Sequence, residues 1–352
     1  MTDDELTKSD HVGLSSTTGP LLDAYDGLLL DLDGVLYVGP DAVPGAAEAL
    51  KQAASRGVRL GFVTNNASRD AEDVAARITS YGVPCEPEQV ITSAQMAAKW
   101  LADHFPQDSA VMVVGGEGLH RAVARAGLSV VTLASENPVA LVQGFGADVG
   151  WRQLAQASFA ICSGATWVAT NLDLAVPMAE GMAPANGALV QSLVAATGRH
   201  PEVVTGKPSP EVFGAAIHRW QLQRPLVVGD LLETDIAGAR AAGVPSLLVM
   251  TGVTGPAQLL GAPSDRRPDY IGIAVTALFD AQPVVAYDGE CASVGGWSAA
   301  VTDRSLTLDG QGQPIDALRA AAAAAWSAAD AREIFDDSAV VHQLQGLLLA
   351  SG

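Results

Sequence analysis

The sequence predicts an α/β protein with a Rossmann-like parallel-sheet core, an inserted second α/β unit and a small C-terminal α+β extension. Apolar segments of strand length alternate with segments of helical period, which is typical of a parallel sheet covered by helices. The alternation restarts at about residue 105, and its style changes after about residue 283. We therefore expect a polar leader (1–21), a core (22–104 and 201–283), an inserted unit (105–200) and an appended module (284–352).

In the core, glycine, proline and capping residues indicate where the predicted helices and strands begin and end. The expected elements are a strand from Gly27 to Leu30, a helix over 46–57, a strand from Val58 to Val63, a strand from Leu226 to Val228, a helix from Asp235 to Ala242 and a strand from Leu247 to Met250. Pro44 precedes the first helix and Gly57 ends it, as is usual for helix termini. Ser68, ahead of an acidic turn, is predicted to cap the next helix.

The inserted unit and the tail have weaker signals. In the inserted unit we expect strands at 111–114, 129–133 and 139–143, with helices at 120–126 and 151–157. In the tail we expect strands at 284–287 and 306–308 before an alanine-rich helix at 315–329. That helix either packs against the core or mediates self-association as a homo-oligomer, and we favour packing.

Composition limits the classes of partner. The chain has 352 residues, 49% hydrophobic and 17% charged, which suits about two domains with real cores rather than a disordered protein. A net charge of −19 disfavours nucleic acid as a partner, because the protein lacks a basic field. No apolar segment is long enough to predict a membrane span. The N-terminus lacks an export signal, and three widely spaced cysteines give no disulfide framework, so we expect a cytoplasmic protein.

The most informative segment contains two carboxylates at the end of an apolar strand, Asp31 and Asp33. Ligands of open α/β sheets bind at the carboxyl ends of their strands. Asp31 can attack phosphorus as a nucleophile, and Asp33 can act as general acid and then base, with a hard cation between them. The alternative is a strand end that merely enters solvent.

Three other strand ends or helix starts offer complementary groups. Thr64 and Asn65 suit phosphate oxygens, and Lys207 at the start of a helix offsets negative charge. We expect Asp230 to complete a Mg²⁺ site, and we expect Asp235 to orient Asp230 or Lys207 without binding the cation itself. Each residue also has a structural interpretation: Thr64 and Asn65 as a helix cap, Lys207 as a surface lysine, and the two aspartates as N-caps.

The segments DLDGVLY, FVTNN, GKPSPEVF and VGDLLETDIAGA together resemble the four motifs of the haloacid dehalogenase superfamily phosphatases. The inserted unit resembles the large α/β cap of the branch with p-nitrophenylphosphatase, phosphoglycolate phosphatase and glycerol phosphate phosphatase-like enzymes. The resemblance implies an aspartyl-phosphate on Asp31 and acid–base work by Asp33. It also implies Mg²⁺ held by the Asp31 side chain, the Asp33 carbonyl and Asp230, with Thr64, Asn65 and Lys207 holding the phosphoryl group.

The cap is expected to set the substrate. The segment TWVATNLD resembles the cap-to-core junction of this branch, and Asn171 within it is our candidate for contacting the leaving group. Ala185 and Leu231 depart from residues common in the branch; neither departure removes a catalytic group, and we expect their effect to be on substrate fit. The glycine turn Gly115-Gly116-Glu117-Gly118 lacks the features of a nucleotide-binding loop and is interpreted as a cap turn.

These observations favour a Mg²⁺-dependent phosphatase for a small phosphorylated metabolite, of the glycerol phosphate or phosphoglycolate type. Two alternatives use the same core: a phosphotransferase or mutase acting on a sugar phosphate, and a regulatory protein that uses the core as a sensor. Intact motif residues argue against an inactive sensor.

Overall fold

The structure is a computed structural model that describes residues 6–8, 13–178 and 181–349. The expected polar leader is described only in part, since residues 1–5 and 9–12, His11 included, lie outside that range. The described residues form two compact units, one within Met1–Leu60 and Trp220–Gly352 and one within Gly61–Arg219. These boundaries differ from the predicted ones, and the functional division into catalytic core and cap stays a prediction.

The first unit contains strands from both ends of the chain, and the second contains those in between. In chain order the strands are β1 (Leu6–Lys8), β2 (Ser15–Thr17), β3 (Gly27–Leu30), β4 (Tyr37–Val38), β5 (Asp41–Ala42), β6 (Arg59–Thr64), β7 (Val90–Thr92), β8 (Ala110–Val114), β9 (Ser129–Val131), β10 (Ala140–Gln143), β11 (Thr166–Ala169), β12 (Ala175–Met178), β13 (Gly181–Pro184), β14 (Val203–Val204), β15 (Pro225–Gly229), β16 (Ser246–Val249), β17 (Tyr270–Gly272), β18 (Ala286–Tyr287), β19 (Cys291–Val294), β20 (Trp297–Thr302) and β21 (Ser305–Gly310).

The α-helices follow the strands in alternation through most of the chain. They are α1 (Ala46–Ser55), α2 (Ala71–Ser80), α3 (Ser93–His104), α4 (Glu117–Arg125), α5 (Trp151–Cys162), α6 (Asn186–Thr197), α7 (Pro210–Trp220), α8 (Ala237–Ala241), α9 (Pro256–Leu260), α10 (Pro314–Asp330) and α11 (Ser338–Leu349). A short π-helix, Leu232–Ile236, directly precedes α8.

Parallel strands form the centre of the first unit. β15 lies between β3 and β16, and β16 also pairs with β17, all in parallel. Every residue of β3 and β16 is buried, as expected for a sheet covered on both faces. The register places Leu30 opposite Val228, so β3 and β15 end side by side and their following loops emerge at the same edge.

The C-terminal residues share a core with the rest of the first unit. β18 to β21 form an antiparallel sheet, and α10 packs on it. Residues of α10 from Ala317 to Trp326 are buried on all sides, and they lie in one apolar cluster with Leu232, Ile236 and Leu248 of the parallel-sheet region. The alanine-rich helix is therefore a packing element within the described part of the chain, in agreement with the favoured alternative.

The second unit contains a five-stranded parallel sheet in the order β14-β11-β10-β8-β9, and a parallel pair formed by β6 and β7. Two apolar clusters cover this sheet, one around Val113 and Leu119 and the other around Trp167 and Leu141. The predicted α/β fold class, including the restart of the alternation in the middle of the chain, is confirmed.

Several local predictions were wrong. Asp70, not Ser68, caps α2, because its side chain accepts a 3.0 Å hydrogen bond from the Asp73 N–H. The helix after Lys207 begins at Pro210, so Lys207 lies in the preceding turn. In the tail, the sequence analysis did not predict β19, β20 or α11. The two strands are short and contain many small residues, so their apolar pattern is weak.

Among the residues that the structure describes, no helix has both the length and the apolar character needed to cross a bilayer.

Candidate active site

An acidic cluster lies where β3 and β15 of the first unit end. Carboxylate oxygens of Asp31, Asp230 and Asp235 all lie within 4.8 Å of one another. The Asp31 N–H donates to the Val228 carbonyl at 2.9 Å, which continues the ladder between the strands by one residue. Because neighbouring parallel strands end at one edge, the sheet itself brings Asp31 and Asp230 together.

A positive partner would stabilise such a cluster. Two unit charges 4.8 Å apart repel by about 3 kcal/mol at an effective dielectric constant of about 20. Asp230 and Asp235 are only 3% and 1% exposed, so water screens them poorly. Three hard oxygen donors of this kind fit a divalent cation such as Mg²⁺, which prefers carboxylates completed by water and phosphate oxygens.

Two glycines make room for the Asp230 carboxylate. A Cβ on Gly34 would lie 2.4 Å from Asp230 Cγ, and a Cβ on Gly252 would lie 1.9 Å from Asp230 Oδ2. The Val253 N–H donates to that same oxygen at 2.6 Å. The loop after β16 therefore fixes the carboxylate by close backbone approach and by one short hydrogen bond.

The Asp33 side chain lies in a tight turn after β3. Gly34 adopts φ +82°, a conformation that side chains disfavour, and its N–H donates to the Tyr37 carbonyl at 2.7 Å. Thr251 Oγ1 donates to the Gly34 carbonyl. Asp33 itself is exposed, so its carboxylate is accessible to solvent, and its predicted acid–base role stays a prediction.

Asp235 lies in the π-helix that follows Asp230. Its Oδ2 accepts the Leu231 N–H at 3.2 Å, so it closes the loop that begins at Asp230. A Cβ on Gly229 would lie 2.3 Å from Asp235 Cγ, so glycine is required there too. The sequence placed Asp235 behind the cluster, whereas the structure places one of its carboxylate oxygens within the cluster.

In the second unit, Thr64 is the last residue of β6 and Asn65 begins the turn that follows. Thr64 is buried at the strand end, and its Oγ1 accepts the Asn66 N–H at 3.1 Å. The Asn65 side-chain amide donates to the Lys207 carbonyl at 3.0 Å and to Asp173 Oδ2 at 3.1 Å. Asn65 Oδ1 is buried without a hydrogen-bond partner among the described residues. The two predicted phosphate-binding segments, at Asn65 and Lys207, are thus joined directly.

Lys207 is only 3% exposed, so it is not a solvated surface lysine. A Cβ on the preceding residue, Gly206, would lie 2.5 Å from Asn65 Oδ1, and the Gly206 N–H donates to the Thr170 carbonyl at 2.8 Å. Gly206 therefore allows the Lys207 segment to pack closely against the Asn65 turn.

The Asn171 side chain contacts the same turn. Its Nδ2 donates to the Asn65 carbonyl at 2.8 Å, and its Oδ1 accepts the Asp173 N–H at 3.2 Å. Asn171 is 3% exposed. These bonds show a link between the end of β11 and the Asn65 turn, and the predicted contact with a leaving group stays a prediction.

Sequence reasoning missed two residues that organise this region. Ser93 is the first residue of α3, and its Oγ donates a 2.6 Å hydrogen bond to the Asn65 carbonyl. Asp173 accepts a hydrogen bond from the Asn65 side-chain amide. Asp173 stood in the quoted segment TWVATNLD, whereas Ser93 carries no motif signal because its role depends on where α3 begins.

Comparisons with known proteins identify relatives along most of the chain. The family model described as haloacid dehalogenase-like hydrolase matches residues 28–129, and one described as HAD-hydrolase-like matches residues 204–278. D-glycerol 3-phosphate phosphatase of Mycobacterium tuberculosis is 41% identical over 313 residues, covering 86% of this chain and 86% of that protein. The chain belongs to the haloacid dehalogenase-like hydrolase family.

Solved structures of haloacid dehalogenase-like hydrolases agree with this assignment. The crystal structure of a glycerol phosphate phosphatase from Mycobacterium tuberculosis, in complex with magnesium, has a TM-score of 0.80 and 39% identity, covering 88% of this chain and 92% of that one. A p-nitrophenyl phosphatase from Archaeoglobus fulgidus has a TM-score of 0.67 and 29% identity, covering 72% of this chain and 98% of that one. The predicted family, fold class and enzyme class, a hydrolase, are confirmed.

The tail matches a different model, described as a GCN5-related N-acetyltransferase-like domain, over residues 294–347. The sequence analysis found no motif there. The matched residues include α10, which is the alanine-rich helix, and β20 and β21, which pack against it.

Proposed function

We propose that this haloacid dehalogenase-like hydrolase is a Mg²⁺-dependent phosphatase that hydrolyses a small phosphomonoester of the glycerol phosphate or phosphoglycolate type. The cluster of Asp31, Asp230 and Asp235 at the ends of β3 and β15 is the observation that carries the proposal. Similarity to a glycerol phosphate phosphatase over most of both chains supports the substrate class.

The residues that would hold Mg²⁺ are Asp31, Asp230 and the Asp33 carbonyl, with Asp235 as a further carboxylate of the cluster. When bound, the cation neutralises the carboxylates and the phosphoryl oxygens, which lets an anionic substrate approach an acidic site. The protein as a whole carries a net charge of −19, so attraction of an anionic substrate depends on positive charge within the site itself.

Asp31 acts as the nucleophile. Its carboxylate oxygen forms a bond to phosphorus while the bond from phosphorus to the ester oxygen breaks, which gives an aspartyl-phosphate on Asp31. Asp33 donates its proton to the departing alkoxide, so the alcohol leaves neutral. Asp33, now a carboxylate, then takes a proton from the water that attacks phosphorus, and inorganic phosphate leaves as Asp31 is restored.

Thr64, Asn65 and Lys207 hold the phosphoryl group in this proposal. Asn65 would do so through its backbone N–H, because its side-chain amide donates to the Lys207 carbonyl and to Asp173. The hydrogen bond between the Asn65 amide and the Lys207 carbonyl keeps these two segments in register. Preorganised donors stabilise transferred charge more effectively than mobile ones, because they need no reorientation during the reaction.

A panel of phosphomonoesters tests the proposal. Purified protein should hydrolyse glycerol 3-phosphate or phosphoglycolate with the highest kcat/KM, releasing free phosphate, and EDTA should abolish turnover until Mg²⁺ is restored in excess. Transfer of the phosphoryl group to an added alcohol, without free phosphate, would favour the phosphotransferase alternative. Absence of hydrolysis with every ester at saturating Mg²⁺ would contradict the proposal.

A cytoplasmic location and the lack of a nucleic-acid partner stay predictions from the sequence, which leaves open whether the chain forms a homo-oligomer. Size-exclusion chromatography with light scattering tests this last point directly.

A further inference from the structure

The turn that carries Thr64 and Asn65 runs from residue 64 to residue 70, and we call it the 64–70 turn. It is closed internally, because the Asn66 N–H donates to Thr64 Oγ1 at 3.1 Å and the Ser68 N–H donates to Asn66 Oδ1 at 2.9 Å. A displacement of Ser68 is therefore transmitted to Asn66 and Thr64 through two hydrogen bonds.

The segment Gly115–Gly118, which we call the glycine segment, packs closely against this turn. A Cβ on Gly116 would lie 2.8 Å from Ser68 Cα, and a Cβ on Gly118 would lie 2.3 Å from the carbonyl carbon of Arg69. The Gly118 N–H also donates to the Ser68 carbonyl at 3.0 Å. The neighbours are backbone atoms, so a side chain at either position would displace the turn itself.

An ion pair reinforces the same contact from α4. Arg121 Nη1 donates to Asp70 Oδ2 at 2.9 Å, while Asp70 Oδ1 caps α2 by accepting the Asp73 N–H. Burial by itself would raise the pKa of Asp70, but the Asp73 N–H and the Arg121 guanidinium outweigh it and lower that pKa. Asp70 thus stays a carboxylate that joins the end of the 64–70 turn to α4.

Apolar packing closes the other side of the turn. Ala67 is fully buried in the cluster that contains Leu119 of α4 and Val142 of β10. A Cβ on Gly144 would lie 3.0 Å from Ala67 Cβ. Three independent features therefore hold the 64–70 turn against α4 and β10: the glycine segment, the ion pair and the Ala67 contact.

We propose that Gly116, Gly118 and Arg121 are positioning residues for the phosphoryl group: by fixing the 64–70 turn, they set where Thr64 and Asn65 present their polar groups. The inference rests on the proposed function, which assigns phosphate binding to Thr64 and Asn65. On this proposal the glycine segment does not contact phosphate itself. It contributes to phosphate binding by fixing the position of the 64–70 turn.

The Gly118→Ala variant tests this inference, with Gly150→Ala as its control. Gly150 belongs to the same unit, and a Cβ there would meet nothing within 4 Å. Displacement of the turn in Gly118→Ala should lower kcat/KM about 10- to 100-fold. The inhibition constant of inorganic phosphate should rise about tenfold, because fewer donors reach the anion. The Mg²⁺ concentration for half-maximal activity should stay unchanged, and Gly150→Ala should behave as the wild type in all three measurements.

Arg121→Ala provides a second variant in case Gly118→Ala does not fold, since the Arg121 side chain is half exposed and removing it leaves no cavity. We expect a several-fold rise in the inhibition constant of phosphate, largely restored in Arg121→Lys, which keeps the charge. Unchanged phosphate inhibition in Arg121→Ala, or in folded Gly118→Ala, would overturn the positioning role.

The two proposals fail separately. A wild-type protein that hydrolyses no phosphomonoester contradicts the proposed function. An active wild type with unaffected variants contradicts the positioning role alone.

Discussion

Gly252 and Asp230 approach so closely that a Cβ on Gly252 would lie 1.9 Å from Asp230 Oδ2. The adjacent Val253 N–H donates to the same oxygen at 2.6 Å. The loop after β16 therefore contributes no ionisable group to the acidic cluster, yet it fixes the position of one of the cluster's carboxylates.

Replacing Gly252 by alanine should weaken the metal site. The methyl group would push Asp230 away from Asp31 and Asp235, so we expect the Mg²⁺ concentration for half-maximal activity to rise about tenfold or more. Titration of activity with Mg²⁺ measures the shift. Gly19→Ala is the matched control in the same unit, because its Cβ would meet nothing within 4 Å. Equal Mg²⁺ titrations for the two variants would contradict the assigned role of Gly252.

Asp31→Asn should remove turnover while leaving the fold intact. An amide is a poor nucleophile, so we expect kcat to fall by about 10³-fold or more. The melting temperature and the circular dichroism spectrum are controls for folding, and we expect both to change little. Wild-type turnover in this variant would exclude Asp31 as the nucleophile.

Asp33→Asn should separate the two chemical steps. With p-nitrophenyl phosphate the leaving phenolate needs no proton, so the first step should proceed, whereas the second step lacks its general base. We expect a burst of about one equivalent of p-nitrophenolate followed by slow turnover, measured by stopped-flow absorbance. With an alkyl phosphate both steps should be slow. Linear release from p-nitrophenyl phosphate at the wild-type rate would show that Asp33 has neither role.

The pair of Asp70 with Arg121 should make stability depend on pH in the acid range. The folded-state pKa of Asp70 is lowered, so its contribution is fully present above its unfolded pKa of about 3.9 and is lost as the pH falls through the folded pKa. Asp70→Asn keeps an oxygen for the helix cap but removes the charge. We expect it to destabilise the protein by about 1 kcal/mol at pH 7 and by much less near pH 3, measured as urea midpoints. A difference that is constant over this range would contradict the ion-pair assignment.

The tail should be required for folding rather than for regulation alone. Trp326 is fully buried, and its Nε1 donates to the Leu259 carbonyl at 2.9 Å. We expect Trp326→Ala to cost about 3 to 5 kcal/mol, and truncation after residue 284 to give aggregated protein, because the apolar cluster around Leu232 and Ile236 would be exposed. Trp151→Ala is the control, since Trp151 is 80% exposed. Truncated protein that is soluble, with an unchanged melting temperature, would show that the rest of the chain folds without the tail and would contradict this prediction.

Much of the site was predictable from the sequence because its chemistry resides at strand ends. Asp31 and Asp230 follow apolar segments of strand length, and strands of a parallel sheet end at one edge. The alternation of strands and helices therefore places both residues at one edge of the sheet, and the pairing of β3 with β15 brings them together. The pairing of Asn65 with the Lys207 segment is of the same kind, although no spacing in the sequence indicates which atoms form the hydrogen bond.

Other features could not be predicted because they depend on which backbone passes close by. Gly252, in a loop, and Gly118, in the first turn of α4, carry no signal in the sequence for close contacts, and only their neighbours, Asp230 and Arg69, show why a side chain is not tolerated. The cap of α2 was placed at Ser68 because serine is a good N-cap residue, but Asp70 takes that position and Ser68 bonds to Asn66 instead.

The sequence by itself determined the α/β class and the family resemblance, and it supplied the residues that we propose for catalysis, since these depend on residue type, period and strand ends. Only the tertiary structure decided that Asp235 joins the acidic cluster, that the alanine-rich helix shares the core of the first unit, and that the glycine segment packs on the 64–70 turn. The physical reason is that close packing is set by contacts between residues far apart in the chain, and these contacts leave no periodic signal in a single sequence.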